Sequence, residues 1–348
     1  MVIAVALSLA VTAVAQADQT DDYIRTQMKR QRIPGLSLVV LRDGKIIKAA
    51  GYGLANVKLD IPATPETVYK IGSVGKQFIA TGIMLLVQDR KLGLDDPIGK
   101  FLEGTPPTWN GITIRHLLTH TSGMVTEAPG FEPFRFRSDA DVVRTAYPVP
   151  LHFEPGEKWE YCNTSYFALA DVIRKVAGRP WDKYLSDRVF KPAGMNATRT
   201  TTTTESVPNR AVGYTDNDKL QDATDWPAVR PSGAFLSTVL DLAKWDALLY
   251  TNSILTDSTR RQMWTPVTLN DGTSYPYGLG WAIDSVKGHR EVHHSGGIPG
   301  FLSEFARFVD DRLTVAVLLN LDDADVKTIA RDVATLYLPP PEPAPAAR

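Results

Sequence analysis

The stretch LSLVVLRDGKIIKAA, residues 36–50, decides how this chain folds. Two β-rich runs, 36–41 and 45–50, flank Asp43-Gly44, a dipeptide that readily takes the positive φ angles of a tight hairpin turn. Before the hairpin, residues 21–32 read as a helix with Tyr23, Ile24, Gln27 and Met28 on one side and Pro34-Gly35 as its stop. After it, helical periodicity runs over 74–90 and returns near 112–118, 138–146, 164–177, 181–189 and 240–251. Strand character comes back only at 277–285, 290–294, 303–308 and 314–320, and a last helix covers about 323–337. An order of sheet, helices, sheet predicts an α/β (α+β) fold. One antiparallel sheet is built from both chain ends (about 18–70 and 270–337) and flanked by the terminal helices, with an all-helical lobe (about 71–269) inserted between. The working site is expected in the cleft where the lobes meet.

At 348 residues, 43% hydrophobic and 22% charged, the chain has enough apolar material for a large core. Thirty-eight basic and thirty-nine acidic residues leave a net charge of -1, so no sequence-wide field attracts nucleic acid, and no nucleic-acid partner is expected. The single cysteine, Cys162, excludes an internal disulfide and C-x-x-C chemistry. Residues 2–15 form an apolar run interrupted only by Ser8 and Thr12 and ending on Ala15-Gln16-Ala17, the A-x-A pattern of a signal-peptidase site, although no Lys or Arg precedes Arg25. Residues 1–17 are therefore read as a signal peptide, too short for a membrane span, which puts the mature chain in a secreted or periplasmic location. Residues 338–348 carry five prolines in eleven positions and read as a disordered proline-rich tail.

Ser73-Val74-Gly75-Lys76 opens the 74–90 helix and sets a hydroxyl and an amine three residues apart on one helical face. A desolvated lysine has a lowered pKa and can take a serine proton, and a helix start supplies free NH groups for developing negative charge. Read alone, S-x-x-K equally describes a helix cap followed by a surface lysine. Tyr161-Cys162-Asn163 offers a phenol and a carboxamide on one side of extended backbone, the phenol acting as a base if Lys76 lowers its pKa; the plainer reading is a strand tyrosine plus a helix-capping asparagine. Tyr250-Thr251-Asn252 repeats the spacing but follows a helix and ranks below it. His294-Ser295-Gly296-Gly297 ends a strand, and its paired glycines let a ligand approach the backbone; if that strand lines the cleft, the NH groups of Ser73 and Gly297 form an oxyanion hole, and read alone the stretch equally describes a glycine-rich turn with incidental histidines.

His116 and His120 stand i, i+4 as a metal pair would, but no third ligand is near, so this stretch reads as a helix end stopped by Gly123, and neither metal nor cofactor is expected. Phe131, Phe134 and Phe136 suggest either a lid over an acyl pocket or a loop packed by its own aromatics. Thr238 and Asp241 form a capping box.

Ser73-x-x-Lys76, Tyr161-x-Asn163 and His294-x-Gly296, in this order and at these separations, resemble the serine β-lactamase and penicillin-binding protein superfamily. Residues 71–78, 116–123, 161–195 and 295–301 look like its class C and D-alanyl-D-alanine carboxypeptidase branch, and the resemblance covers about 20–337. It implies acyl-enzyme chemistry at the junction of the lobes, with Ser73 as nucleophile, Lys76 and Tyr161 as proton handlers and Asn163 as holder of the substrate amide. His294, Ser295 and Gly296 would be the binding edge. The tyrosine motif is unlike class A enzymes. His294 stands where most β-lactamases carry lysine, which resembles D,D-carboxypeptidases, D-aminopeptidases and family VIII esterases. The expected activity is therefore hydrolysis of small esters or D-amino-acid peptides, the substrate being a small molecule or short peptide, including cell-wall peptide or a β-lactam. The alternatives are a β-lactamase and a penicillin-binding sensor that does not turn over. No G-x-S-x-G elbow occurs.

Overall fold

The computed structural model describes residues 18–200, 206–216 and 218–340. The expected signal peptide and residues 341–348 of the expected tail lie outside them. Asp43 and Gly44 take φ angles of 55° and 70°, which turns β1 (Gly35–Arg42) tightly into β2 (Lys45–Asn56). A short β3 (Ile61–Pro62) follows, and the other strands of the same sheet come from the far end of the chain: β4 (Ala282–Val286), β5 (His289–Ile298), β6 (Phe301–Phe308) and β7 (Leu313–Leu319). The sheet order is β4-β5-β6-β7-β1-β2-β3, antiparallel throughout. The two ends of the chain join where β1 pairs β7, from Leu36 opposite Leu319 to Arg42 opposite Leu313.

Both faces of this sheet are covered, so β1 reads as a continuous apolar run rather than an alternating one. Val39 and Leu41 enter the core shared with the helical lobe, whereas Leu36, Leu38 and Val40 enter the core under the terminal helices. Those helices are α1 (residues 18–31) and α5 (Val326–Tyr337), the latter burying Ile329, Ala330, Val333 and Ala334. The central helix of the other lobe, α2 (Lys76–Gln88), is buried on almost every side; Phe78 alone meets the rings of Phe190, Phe235 and Trp245. Around it stand α3 (Asn163–Ala177) and α4 (Val239–Leu248).

The lobe expected to be all-helical also carries short strands, with Phe235–Ser237 pairing both Tyr69–Lys70 and Arg199–Thr200 and with Tyr214–Asp216 pairing Leu220–Asp222, because extended segments cross between its helices. Other elements depart from the sequence reading as well. The strand expected at 277–285 begins only at Ala282, because Gly280 at φ 77° bends the preceding segment. The strand expected to end at His294 continues to Ile298, its glycines held in register by β6, with Gly296 opposite Ser303 and Gly297 opposite Leu302. The box at α4 is half formed: the Thr238 hydroxyl accepts from the Asp241 NH at 3.0 Å, but the Asp241 carboxylate turns away to accept from the NH groups of Ala197 and Thr198.

One buried ion pair ties α4 to the sheet. Arg307 Nε donates to Asp246 Oδ1 at 2.7 Å with both side chains fully buried, Thr314 donates to the same oxygen, and Tyr250 and Trp264 lie against the guanidinium. Removing one member strands a charge in the core, so Asp246→Ala is expected to cost about 3–5 kcal/mol in chemical denaturation, and the double variant Asp246→Ala/Arg307→Met to recover most of that loss.

Candidate active site

Gly72 sets the site. Its φ is +50°, and a Cβ there would lie 2.6 Å from the Gly297 nitrogen, so only glycine lets the turn before α2 approach β5 this closely. Gly296 is equally constrained, since a Cβ would meet the Ile71 carbonyl oxygen at 2.1 Å. Ser73 lies in the 3-10 turn Gly72–Gly75 that leads into α2, and Lys76 is the first residue of the helix. Ser73 and Gly297 line the same cleft of about 340 Å³ between the lobes.

Lys76 is fully buried and spends its three N–H donors on Ser73 Oγ at 3.1 Å, Asn163 Oδ1 at 2.8 Å and the Ser232 carbonyl at 2.7 Å. The rings of Tyr161 and Tyr166 lie 4.7 and 5.1 Å from its nitrogen. No carboxylate pairs with it among the described residues. Burial therefore pushes its ammonium down to about 7, opposed by the more distant charge of Glu127. Tyr161 behaves differently from the sequence expectation: burial raises its phenol well above the ordinary range, so proximity to Lys76 does not make it a phenolate. Its hydroxyl is buried beside Ser73, which favours ionisation, but without a well-directed hydrogen bond.

Cys162 caps α3 in place of the expected asparagine, and Asn163 is the first residue of the helix. That frees the Asn163 carboxamide to face the cleft, where Nδ2 donates to Glu127 Oε1 at 2.5 Å. The Tyr161–Asn163 segment is held from below by His120, a fully buried residue at φ 61° whose Nδ1 accepts from the Cys162 NH at 3.0 Å. His116 instead closes its own helix start through Thr113, so the i, i+4 histidines serve separate structural bonds and do not share a ligand position.

The third motif splits between the two faces of the sheet. His294 faces the helical lobe, its Nδ1 2.6 Å from the Ser295 carbonyl and its Nε2 2.9 Å from the Tyr277 hydroxyl; these partners place the ring proton on Nδ1, with Nε2 accepting. Burial, aided by the Lys76 charge, pushes its pKa down to about 3, so it is a neutral support that lies behind the cleft. The Ser295 hydroxyl donates to Glu304 Oε2 at 2.5 Å, where Glu304 also meets His293, on the face opposite His294. Expected in the binding edge, the Ser295 side chain is turned out of the site by strand alternation, and Gly296 contributes close packing. Tyr250-Thr251-Asn252 stands apart, with Asn252 bonded to Arg260.

The cleft walls come from two loops, of which the sequence marks only the first, through its phenylalanines. One carries Glu127 and Phe131, the other Trp226 and Val229, and the Ala228 NH bonded to the Pro133 carbonyl at 3.0 Å ties them together. Lys70 fixes the second loop through Asp225 and the Trp226 carbonyl. The three phenylalanines do not pack on one another: Phe131 meets Phe167 and Phe134 meets Trp226, while Phe134 and Phe136 are exposed. Ser232, which holds Lys76 through its backbone, leaves no side-chain signal to find.

The beta-lactamase family matches this chain over residues 20–337. Penicillin-binding protein 4* of Bacillus subtilis (strain 168) is 30% identical over 310 residues, covering 82% of this chain and 68% of that protein. Among solved structures, an octameric penicillin-binding protein homologue from Pyrococcus abyssi superposes with a TM-score of 0.82 at 28% identity, over 92% of this chain and 77% of that one. The D-amino acid amidase from Ochrobactrum anthropi SV3 superposes with a TM-score of 0.77 at 25% identity, over 94% and 96%.

The contact of Gly72 with Gly297 generates a direct test. Gly72→Ala should leave the thermal transition of the purified protein cooperative while lowering kcat/KM on an activated ester by about 10- to 100-fold, because the added methyl drives Ser73 and the Gly297 NH apart.

Proposed function

The chain belongs to the beta-lactamase family, and from that membership we propose an exported serine hydrolase that forms an acyl-enzyme on Ser73 and cleaves small esters or amides of the D-amino-acid peptide type. The observation that carries this reading is the buried Lys76 amine, 3.1 Å from Ser73 Oγ and with a pKa of about 7. Family membership supports hydrolase chemistry, and the D-amino acid amidase likeness favours amides with an amino-acid acyl part. The apolar run ending at Ala17 supports export, and the mature protein recovered from outside the cytoplasm is expected to begin near Asp18 on N-terminal sequencing.

In the proposed cycle, neutral Lys76 accepts the Ser73 proton as Oγ attacks the substrate carbonyl. The oxyanion collects at the NH groups of Ser73 and Gly297. Collapse expels the alcohol or amine, which takes the proton back from Lys76, with the neutral Tyr161 phenol as the adjacent donor. Water then attacks the acyl-enzyme and gives its proton to Lys76, and as the tetrahedral intermediate collapses to the acid Lys76 returns that proton to the departing Ser73 Oγ, which restores the neutral amine. Asn163, fixed by Lys76 and Glu127, orients the acyl part.

Small-ester and D-amino-acid peptide hydrolysis rank first, D,D-carboxypeptidase activity second and β-lactam hydrolysis third. Among the described residues, those lining the cleft include no Lys, Arg or His to meet a substrate carboxylate, and His294 is neutral. Comparing p-nitrophenyl esters, D-alanyl peptides and nitrocefin by kcat/KM tests the order, and dominant nitrocefin turnover would reverse it.

Lys76 works as a base only when unprotonated. Log kcat/KM should therefore rise with unit slope as pH increases toward about 7 and level off above it. Lys76→Arg, protonated throughout, should abolish that limb together with the activity, and Ser73→Ala should cut the steady rate by about 10⁴-fold or more. A fluorophosphonate adduct on the tryptic peptide containing Ser73 would identify the nucleophile.

A further inference from the structure

Tyr277 takes no part in the cycle above, yet it is buried and its hydroxyl lies 2.9 Å from His294 Nε2. It belongs to the segment before β4, which Gly280 lets pack directly on α2. A Cβ at Gly280 would meet the Ala80 Cβ at 2.7 Å and the Lys76 carbonyl oxygen at 3.2 Å. The other ring nitrogen of His294, Nδ1, lies 2.6 Å from the Ser295 carbonyl. We propose that Tyr277 is a positioning residue for the acyl transfer. It holds His294 in the tautomer that caps the Ser295 carbonyl, which leaves the Gly297 NH as the group this edge of β5 offers to the substrate oxygen. This deepens the acyl-enzyme reading above and rests on it.

Counting donors and acceptors fixes the direction of these bonds. A carbonyl only accepts, so Nδ1 carries a proton, and Nε2 of the neutral ring is then an acceptor in need of a donor. Tyr277 is that donor, because the hydroxyl of neighbouring Tyr166 already donates to the Leu118 carbonyl at 3.1 Å. The opposite tautomer would turn an Nδ1 lone pair on the Ser295 carbonyl, acceptor against acceptor. β4 leaves one edge of β5 open beyond His293, where its pairing stops opposite Ala282. Ser295 and Gly297, two residues apart on β5, turn their backbone groups to the same edge, and the oxyanion role of Gly297 requires the open one. An uncapped Ser295 carbonyl there would direct its negative end toward the developing oxyanion. The ring is faced by Lys76 from α2, by His120, and by Tyr161 and Tyr277; His293 is its neighbour on β5 and Lys327 lies farther off on α5. Among the described residues no acid pairs with His294, so a proton on Nε2 would set a second cation beside Lys76.

The tautomer can be read on the ring itself. In 15N-labelled protein, two-bond 1H–15N correlations distinguish the protonation states of the six histidines. The His294 signals are those lost in His294→Asn, or in His294→Gln should the first variant not fold. Wild-type His294 is expected to be neutral and protonated on Nδ1 from about pH 5 to 9. Tyr277→Phe keeps the ring and removes only the hydroxyl. It should give an Nε2-protonated or titrating His294 and lower kcat/KM on p-nitrophenyl butyrate about tenfold, through kcat more than KM, with the thermal transition still cooperative. Because Tyr277 acts through His294, adding Tyr277→Phe to the histidine variant should change kcat/KM by less than about twofold further. Three results would overturn the Tyr277 assignment while butyrate is still cleaved in a Ser73-dependent way, leaving the hydrolase reading standing: a wild-type His294 protonated on Nε2 or charged at neutral pH, full additivity of the two substitutions, or an unchanged kcat/KM in Tyr277→Phe. Absence of Ser73-dependent turnover on every substrate would overturn both.

Discussion

An amine removed from water, with no carboxylate beside it, has to be held by neutral acceptors, and the site is organised around that requirement. Ser73, Asn163 and the Ser232 carbonyl each supply one acceptor to Lys76, and they come from three separate parts of the chain. The same burial that weakens the amine's hold on its proton also fixes the geometry, because each donor left unpaired here would cost free energy. Tyr161 and Tyr166 close the remaining sides with their rings, at the expense of their own ionisation. Reactivity and local structure therefore share one cause.

The second requirement is close approach of two backbones. The helical lobe reaches the sheet through the turn before α2, and the sheet meets it with a glycine pair on β5, so no side chain separates Gly72 from Gly297. His120 and Cys162 play the corresponding part from beneath, fixing the segment that aims Tyr161 and Asn163. The catalytic groups themselves are few; a larger number of buried bonds positions them.

The fold was legible because its signals are local and periodic. The Asp43-Gly44 turn, the long apolar periodicity of α2 and the return of strands after residue 280 fix the layer order without tertiary information. Ser73, Lys76, Tyr161 and Asn163 were legible as motifs, and the structure brings them together. What stayed hidden depends on three-dimensional context. Whether burial or a neighbouring cation governs Tyr161 cannot be read from spacing. Ser295 was misplaced because strand alternation turns its side chain to Glu304. Glu127 sits in a loop with no periodicity to mark it, and Ser232 acts through a backbone carbonyl that any residue would provide.

The pairing of β1 with β7 has a consequence for how the polypeptide matures on the ribosome. Leu36 pairs with Tyr52 inside the hairpin but meets its other partner, Leu319, only near the far end, so most of the chain must be synthesised before the first strand gains its second neighbour. Until then the hairpin presents an unpaired edge with Leu36, Leu38 and Val40 uncovered, the kind of surface that invites intermolecular strand addition. Sequence-distant closure of this type also slows the final folding step relative to the helical lobe, whose contacts are more local. Nascent chains that end before residue 313 lack β7 altogether, which makes the C-terminal segment the element that completes the sheet in time as well as in space.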